Sequence, residues 1–166
     1  MFLDLKSIFV NENSSLPINY ELNMSEVELS GGFPLQKPVS ISGRVFNRAG
    51  IVTLKLLLEV EYSAPCDRCG ENAVNTYCFD MDRVVVNHLD GDDLDEYIVA
   101  QDMQLDLDEL CRCEVLLEIP TKHLCSNDCK GVCNKCGKNL NLGKCSCPQK
   151  ELDSRFAALD QLLNND

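Results

Sequence analysis

The chain has 166 residues and a formal net charge of -12 at pH 7, which is enough length for one domain with its own core, or for one domain and a small metal-held lobe. No stretch approaches the roughly 20 apolar residues of a membrane-spanning helix, and Met1 to Lys6 lacks the basic and apolar regions of a secretory signal. We therefore expect a cytoplasmic protein that acts neither in a membrane nor in an oxidising compartment.

The first 86 residues predict antiparallel strands. A strand is expected over Ile18 to Met24, and the segment Gly31 to Pro34 breaks the chain after it. The next strand includes Val39 to Val45, and the turn Asn47 to Gly50 leads to a strand over Val52 to Tyr62. In that last segment apolar residues alternate with polar ones, which is typical of a strand with one face in the core.

The sequence Cys66-Asp67-Arg68-Cys69-Gly70 follows this strand. Another strand through Tyr77 to Met81 comes next, so the two cysteines are expected at the tip of a second hairpin. A redox dithiol is the weaker interpretation, because the helix that lowers a thiol pKa in thioredoxin-like folds does not follow.

The acidity is concentrated between Asp80 and Glu114, where twelve carboxylates and two arginines give a net charge of -10. The densest part, Asp90 to Glu96, is interpreted as a solvated loop, and alternatively as a docking surface for a basic partner. It lacks the ligand spacing of an EF-hand. Residues Tyr97 to Val99 after it are expected to add to the sheet.

Two helices are predicted. Asp106 can cap the first, which presents Leu107, Leu110, Cys111 and Val115 on one face and ends before Pro120. Asp153 can cap the second, which carries Phe156, Leu159 and Leu163 at helical spacing. This helix is expected to pack on the protein's own body, and alternatively to offer its apolar stripe to a partner. Cys111 and Cys113 lie on opposite sides of the first helix, so these two and Cys78 are interpreted as small apolar residues rather than ligands.

Eight further cysteines occur in four close pairs, a spacing that predicts two Zn²⁺ sites. In a reducing compartment such pairs indicate metal rather than disulfides, and structural zinc takes four thiolates in tetrahedral geometry. Glycine after two of the pairs suits a tight turn beside the metal. The predicted ligands are Cys66, Cys69, Cys125, Cys129, Cys133, Cys136, Cys145 and Cys147.

The ligands can be grouped in two ways. Only eight residues separate Cys136 from Cys145, so a site built from Cys133, Cys136, Cys145 and Cys147 closes a short loop and leaves Cys66 and Cys69 to Cys125 and Cys129. The rival grouping joins the four cysteines from 125 to 136 and leaves Cys66 and Cys69 to the final pair. Loop length favours the first grouping modestly.

The sequence gives little support for a catalytic function. The CxxxCxxC spacing of Cys129, Cys133 and Cys136 occurs in radical iron-sulfur enzymes, but those need a large barrel after the motif and only 30 residues follow. The chain has two histidines, His88 and His123, and neither lies in a catalytic motif. His123 is interpreted as a surface residue, with a spare metal ligand as the alternative. We expect no enzyme and no small-molecule substrate.

The order of these motifs resembles the YceD family, named for large ribosomal RNA subunit accumulation. The resemblance runs from about residue 39 to 163 and rests on the Cys66 knuckle, Ile119-Pro120, the segments Leu124 to Cys133 and Cys136 to Asn141, Cys145-Ser146-Cys147, and Asp153 to Leu159. It implies a non-enzymatic, cytoplasmic factor that supports 23S rRNA accumulation or processing and large-subunit assembly. Family members are often encoded beside a small basic protein of the large subunit. Cys111 and Cys113 fall outside the family's pattern.

The distribution of charge along the chain indicates which kind of partner it binds. Residues 121–150 carry six lysines against Asp128, which balances the charge of thiolate-bound zinc or offers contacts to RNA. Because the rest of the chain is acidic, a large-subunit ribosomal protein is favoured as partner over the 23S rRNA precursor. The runner-up is a metal-dependent regulator or redox-sensitive zinc protein unrelated to ribosomes.

The expected architecture is α+β in two parts. Residues 1–118 form an antiparallel sheet domain with the acidic loop and a helix. Residues 119–166 form a small C-terminal Cys-rich zinc lobe and the terminal helix.

Overall fold

The computed structural model describes residues 1–88 and 97–147, and its elements are mostly strands. In chain order they are β1 (Phe2–Asp4), α1 (Lys6–Val10), β2 (Ser15–Leu22), β3 (Val39–Arg48), β4 (Ile51–Pro65), β5 (Asn72–Val86), β6 (Tyr97–Val99), a 3-10 turn (Gln101–Met103), β7 (Gln104–Asp106) and α2 (Leu107–Glu118).

The central sheet has five strands in the order β2-β3-β4-β5-β6. The pairs from β2 to β5 are antiparallel, as the alternation of apolar residues predicts. Strands β3 and β4 are joined by a two-residue turn at Ala49 and Gly50, both with positive φ, which matches the twist of a hairpin. Strand β2 ends at Leu22, two residues before the predicted limit, and β4 runs three residues beyond Tyr62.

Strand β6 pairs with β5 in the parallel direction, which differs from the fully antiparallel sheet that the sequence predicts. Tyr97, Ile98 and Val99 lie opposite Val84, Val85 and Val86. A pattern of three apolar residues carries no information on strand direction, so the sequence could not distinguish a parallel from an antiparallel β6. In the described residues the fold is therefore mostly sheet, with few helices, rather than clearly α+β.

One face of the sheet forms the core together with α2. Leu54, Leu56 and Leu58 alternate along β4 into this core, while Leu107, Cys111 and Val115 are buried from α2. The side chain of Asp106 accepts hydrogen bonds from the backbone N–H groups of Asp108 and Glu109, which caps the helix as predicted, and the helix ends before Pro120.

Three short elements, β1 and α1 near the chain start and β7 just before α2, have no clear periodicity in the sequence. Strands β1 and β7 form a separate two-stranded sheet, which places Leu3 opposite Leu105. Helix α1 contributes one buried residue, Ile8. Elements of three to five residues are too short for a hydrophobic period to be recognised.

Two predicted features fall outside the described residues: the acidic segment from Asp90 to Glu96, and the terminal helix that Asp153 caps. In the described part of the chain, no helix has the length and apolar character that crossing a membrane requires.

Candidate metal centres

The eight paired cysteines meet in two groups of four. In each group the sulfur atoms all lie within 4.8 Å of one another. The first quartet is Cys66, Cys69, Cys125 and Cys129, and the second quartet is Cys133, Cys136, Cys145 and Cys147. This is the grouping that loop length favours, and the rival grouping of residues 125 to 136 does not form.

The sulfur separations in the first quartet fit a tetrahedral metal. Four sulfurs at the Zn–S bond length of about 2.3 Å form a tetrahedron with edges of about 3.8 Å. The Cys66 and Cys129 Sγ atoms lie 3.8 Å apart, and those of Cys69 and Cys125 lie 3.7 Å apart. A disulfide has an S–S distance of about 2.05 Å, and all eleven cysteines are free thiols. The donor set therefore suits a closed, four-thiolate site.

The first pair of ligands sits on a tight knuckle between β4 and β5, as the sequence predicts. The N–H of Cys66 donates to the carbonyl of Glu71 at 2.9 Å, and the N–H of Gly70 donates to the carbonyl of Cys66 at 2.8 Å. Gly70 has φ +74°, a conformation that a residue with a Cβ rarely adopts. The turn directs both sulfurs to the same point.

The second quartet contains the same knuckle. The N–H of Cys133 donates to the carbonyl of Lys138 at 2.9 Å, and the N–H of Gly137 donates to the carbonyl of Cys133 at 2.8 Å. Gly137 has φ +70°. Because the CxxCG sequence and its hydrogen bonds are repeated, the two quartets are equivalent in local construction.

The quartets differ in burial and in what they connect. In the first quartet Cys66, Cys69 and Cys129 are buried and Cys125 is exposed, whereas every member of the second is half-buried or exposed. The first quartet joins the β4–β5 hairpin to the chain that follows α2, so its ligands come from both sides of the predicted domain boundary at residue 118. The second quartet is local to residues 133–147.

Arg68, inside the first knuckle, links the two halves of the first quartet. Its Nη1 donates to the carbonyl of Cys129 at 2.9 Å. This bond fixes the second ligand pair against the hairpin tip. Sequence patterns do not reveal this role, because nothing in a CxxC motif specifies the two central residues.

Asn141 connects the chain of the second quartet to the first. Its Oδ1 accepts from the N–H of Lys130 at 2.7 Å, and its Nδ2 donates to the sulfur of Cys129 at 3.2 Å. This side-chain hydrogen bond is the main cause that holds the pKa of Cys129 below its ordinary value. Asn141 therefore holds the sulfur of a candidate metal ligand in position without belonging to either quartet.

His123 is buried, with 5% of its surface exposed, so the prediction of a surface histidine is wrong. Its ring lies 4.9 Å from the ring of Tyr62, and its Nε2 is 3.1 Å from the carbonyl of Ala73. Its backbone N–H donates to a carboxylate oxygen of Asp67 at 2.7 Å. The residue thus seats the segment before Cys125 on the sheet, and neither quartet includes it.

Backbone N–H groups favour the thiolate at the first position of each knuckle. Burial opposes ionisation of Cys66, but N–H groups, that of Cys125 foremost, outweigh it and lower the pKa to about 6. The N–H of Cys136 is the leading cause that lowers the pKa of Cys133 to about 6. Each knuckle is preorganised for the charged form that binds a metal.

Cys125 and Cys147 show the cost of placing four thiols together without a cation. A hydrogen bond with Cys129 raises the pKa of Cys125 to about 12, and one with Cys136 raises the pKa of Cys147 to about 12. A bound divalent cation removes this cost, since coordinated thiols are deprotonated.

The remaining three cysteines lie outside both quartets. Cys111 is fully buried in the core, as a small apolar residue would be. Cys78 and Cys113 are exposed. The opposite placement of Cys111 and Cys113 on α2 is confirmed.

Comparison with known proteins agrees with the motif order. The family model described as "Large ribosomal RNA subunit accumulation protein YceD" matches residues 54–163, which include all eight quartet cysteines. A chloroplast protein of Arabidopsis thaliana, "Large ribosomal RNA subunit accumulation protein YCED homolog 1", is 25% identical over 160 residues, covering 78% of this chain and 50% of the plant protein. The Bacillus subtilis (strain 168) protein "Uncharacterized protein YlbN" is 26% identical over 133 residues, covering 78% of this chain and 76% of its own length.

The chain thus spans about half the length of the plant relative. No solved structure matches it.

Proposed function

This chain belongs to the YceD family, and we propose that it is a non-enzymatic factor of large ribosomal subunit assembly that supports the accumulation or processing of 23S rRNA. The observation that carries the proposal is the match of the family model over residues 54–163. That range contains most of the β4–β5 hairpin and both cysteine quartets, so the shared sequence coincides with the most distinctive part of this chain.

We propose that each quartet holds one Zn²⁺, giving about two ions per chain. Four thiolates leave no open coordination position, so the metals stabilise the fold and do no chemistry on a substrate. Elemental analysis of purified protein checks this. Iron with a visible charge-transfer band, or a single metal per chain, contradicts it.

For the partner we favour a basic large-subunit ribosomal protein over the 23S rRNA precursor. The chain has a net charge of -12, which opposes the counterion release that drives RNA binding. The exposed lysines near the quartets, such as Lys130 and Lys144, compensate the charge of two four-thiolate zinc sites. Complementary charge also accelerates association with a basic protein.

The test is the ribosome profile of a strain without this gene. We expect a selective deficit of large subunits on sedimentation, restored by the wild-type gene and not by a Cys66→Ser variant. The Cys113→Ser variant is the matched control, because Cys113 is exposed on α2 and lies outside both quartets, and it should restore the profile. Unchanged profiles in the deletion strain contradict the proposal.

A redox-sensitive or metal-dependent regulator is the second candidate, and the exposure of the second quartet favours it. Cys136 is exposed, and thiolates near the surface are the ones that oxidants reach. This candidate predicts loss of metal from the second quartet under mild oxidation, together with an unaltered ribosome profile in the deletion strain.

A further inference from the structure

In the part of the chain that the structure describes, strand β5 has a long edge without a strand partner. It contains 15 residues, and β6 pairs with only the last three, Val84 to Val86. Within residues 1–88 and 97–147, no strand pairs with the rest of β5 on the side away from β4. Such an edge presents backbone N–H and C=O groups that another extended chain can pair with.

The residues that present these groups follow from the pairing. The carbonyl of Val86 accepts from the N–H of Ala100 at 2.8 Å, so the backbone groups of Val86 point away from β4. The register between β4 and β5 runs one to one without a bulge. Alternate residues of a strand direct their backbone groups to the same side. The backbone N–H and C=O groups that point toward the open edge therefore belong to Val74, Thr76, Cys78, Asp80 and Asp82.

Among the described residues the opposite edge of the sheet carries a device against strand pairing, and the edge of β5 carries none. Strand β2 carries Pro17, which lacks an N–H and blocks continuous pairing. Strand β5 contains no proline, and Val74, Thr76 and Cys78 are exposed along it. A strand of this length and composition is a template for strand addition.

The two faces beside this edge define the chemistry of an added strand. On the core face Tyr77 and Phe79 are half-buried, with ring planes 10° apart and centroids 6.2 Å apart, so each leaves apolar surface uncovered. On the outer face Asp80 lies one row from Glu59, which pairs with Cys78. An added strand with apolar residues on one side and basic residues on the other fits both faces.

We propose that the open edge of β5, from Val74 to Asp82, binds an extended, basic segment of a partner protein by strand addition. Apolar residues of that segment cover Tyr77 and Phe79, while its alternate Lys or Arg residues face Asp80 and Glu59. The identification of the partner with a basic ribosomal protein rests on the proposed function. A second copy of this chain is a poorer occupant, because its own β5 carries no Lys or Arg from Val74 to Asp82 that could face Asp80 and Glu59.

A fluorescein-labelled nine-residue peptide that alternates Lys and Val is the probe, and its binding is measured by fluorescence anisotropy. Thr76→Pro removes one N–H that points to the open edge and keeps the ladder with β4, as edge positions tolerate proline. We expect this variant to bind about tenfold more weakly or worse. The matched control Thr76→Ala should bind as the wild type does. Equal binding by Thr76→Pro, at an unchanged melting temperature, overturns the proposal.

Modified peptides test the same edge on the wild-type protein, in case Thr76→Pro does not fold. One peptide carries N-methyl groups on every Lys and the other on every Val, so each blocks one edge of the peptide strand. We expect one to lose binding and the other to retain it. Equal binding by both overturns strand addition, and self-association that Thr76→Pro abolishes assigns the edge to a second copy instead.

The ribosome profile separates this inference from the proposed function. If the deletion strain lacks large subunits and the Thr76→Pro gene restores them, the proposed function stands and the edge inference fails. If the deletion strain is normal while peptide binding depends on Thr76 as described, the edge inference stands and the partner is not ribosomal.

Discussion

Serine in place of the first cysteine of each knuckle compares the two quartets directly. Cys66→Ser and Cys133→Ser each remove one ligand from knuckles with the same hydrogen bonds. The loops that the two sites close are different: Cys69 and Cys125 are 56 positions apart, whereas Cys136 and Cys145 are nine positions apart. The first site therefore removes more entropy from the unfolded chain when metal is bound.

The difference can be estimated from loop length. Closure entropy that grows as 1.5 RT times the logarithm of loop length gives about 1.6 kcal/mol in favour of the longer loop. For a chain of this size, each kcal/mol shifts the melting temperature by about 2–4 °C. We expect Cys66→Ser to melt about 3–6 °C below Cys133→Ser, and further below the wild type.

Calorimetry in zinc-replete buffer, with metal content measured on the same samples, checks the expectation. In excess chelator the gap between the two variants should close, because neither loop is then held by metal. Equal melting temperatures in zinc, or a lower one for Cys133→Ser, would show that the first quartet does not cross-link the hairpin to the chain after α2.

Three further outcomes are expected. Asn141→Ala should weaken metal binding at the first quartet by about 10–100-fold, measured by chelator competition, and Asn134→Ala serves as its control; equal loss in both variants would contradict the role of Asn141. In metal-free protein near pH 7, an alkylating reagent should modify Cys133 before Cys147, because hydrogen bonds lower the pKa of Cys133 to about 6 and raise that of Cys147 to about 12. Both side chains are half-buried, so their exposure does not decide the order. Mass spectrometry of labelled peptides measures the order of modification, and the reverse order refutes the prediction. Neutralising the acidic segment at Asp92, Asp93, Asp95 and Glu96 with Asn or Gln should leave the melting temperature unchanged and slow association with a basic partner at low salt, with the difference shrinking as salt rises; association kinetics that do not change at low salt would reduce the segment to a solvated loop.

Local patterns in the sequence determined the strands and the ligand types. The alternation from Val52 to Tyr62 identifies β4, because a strand directs successive side chains to opposite faces wherever it lies in the fold. Asp106 and Pro120 bracket α2 for similarly local reasons. The CxxCG motif contains both the sulfurs and the glycine that its turn requires, so the knuckles are also encoded within a few residues.

Only the tertiary structure decided which sulfurs meet, what supports them and where the sheet is open. The grouping of Cys69 with Cys125 depends on how β4, β5 and α2 pack, and loop entropy discriminates between groupings by only a small free energy. The burial of His123 and the bond from Asn141 to Cys129 arise from segments far apart in sequence, and no periodicity marks them. The parallel pairing of β6 depends on the direction of a three-residue strand, which side-chain alternation does not encode, and the open edge of β5 follows from how short β6 is.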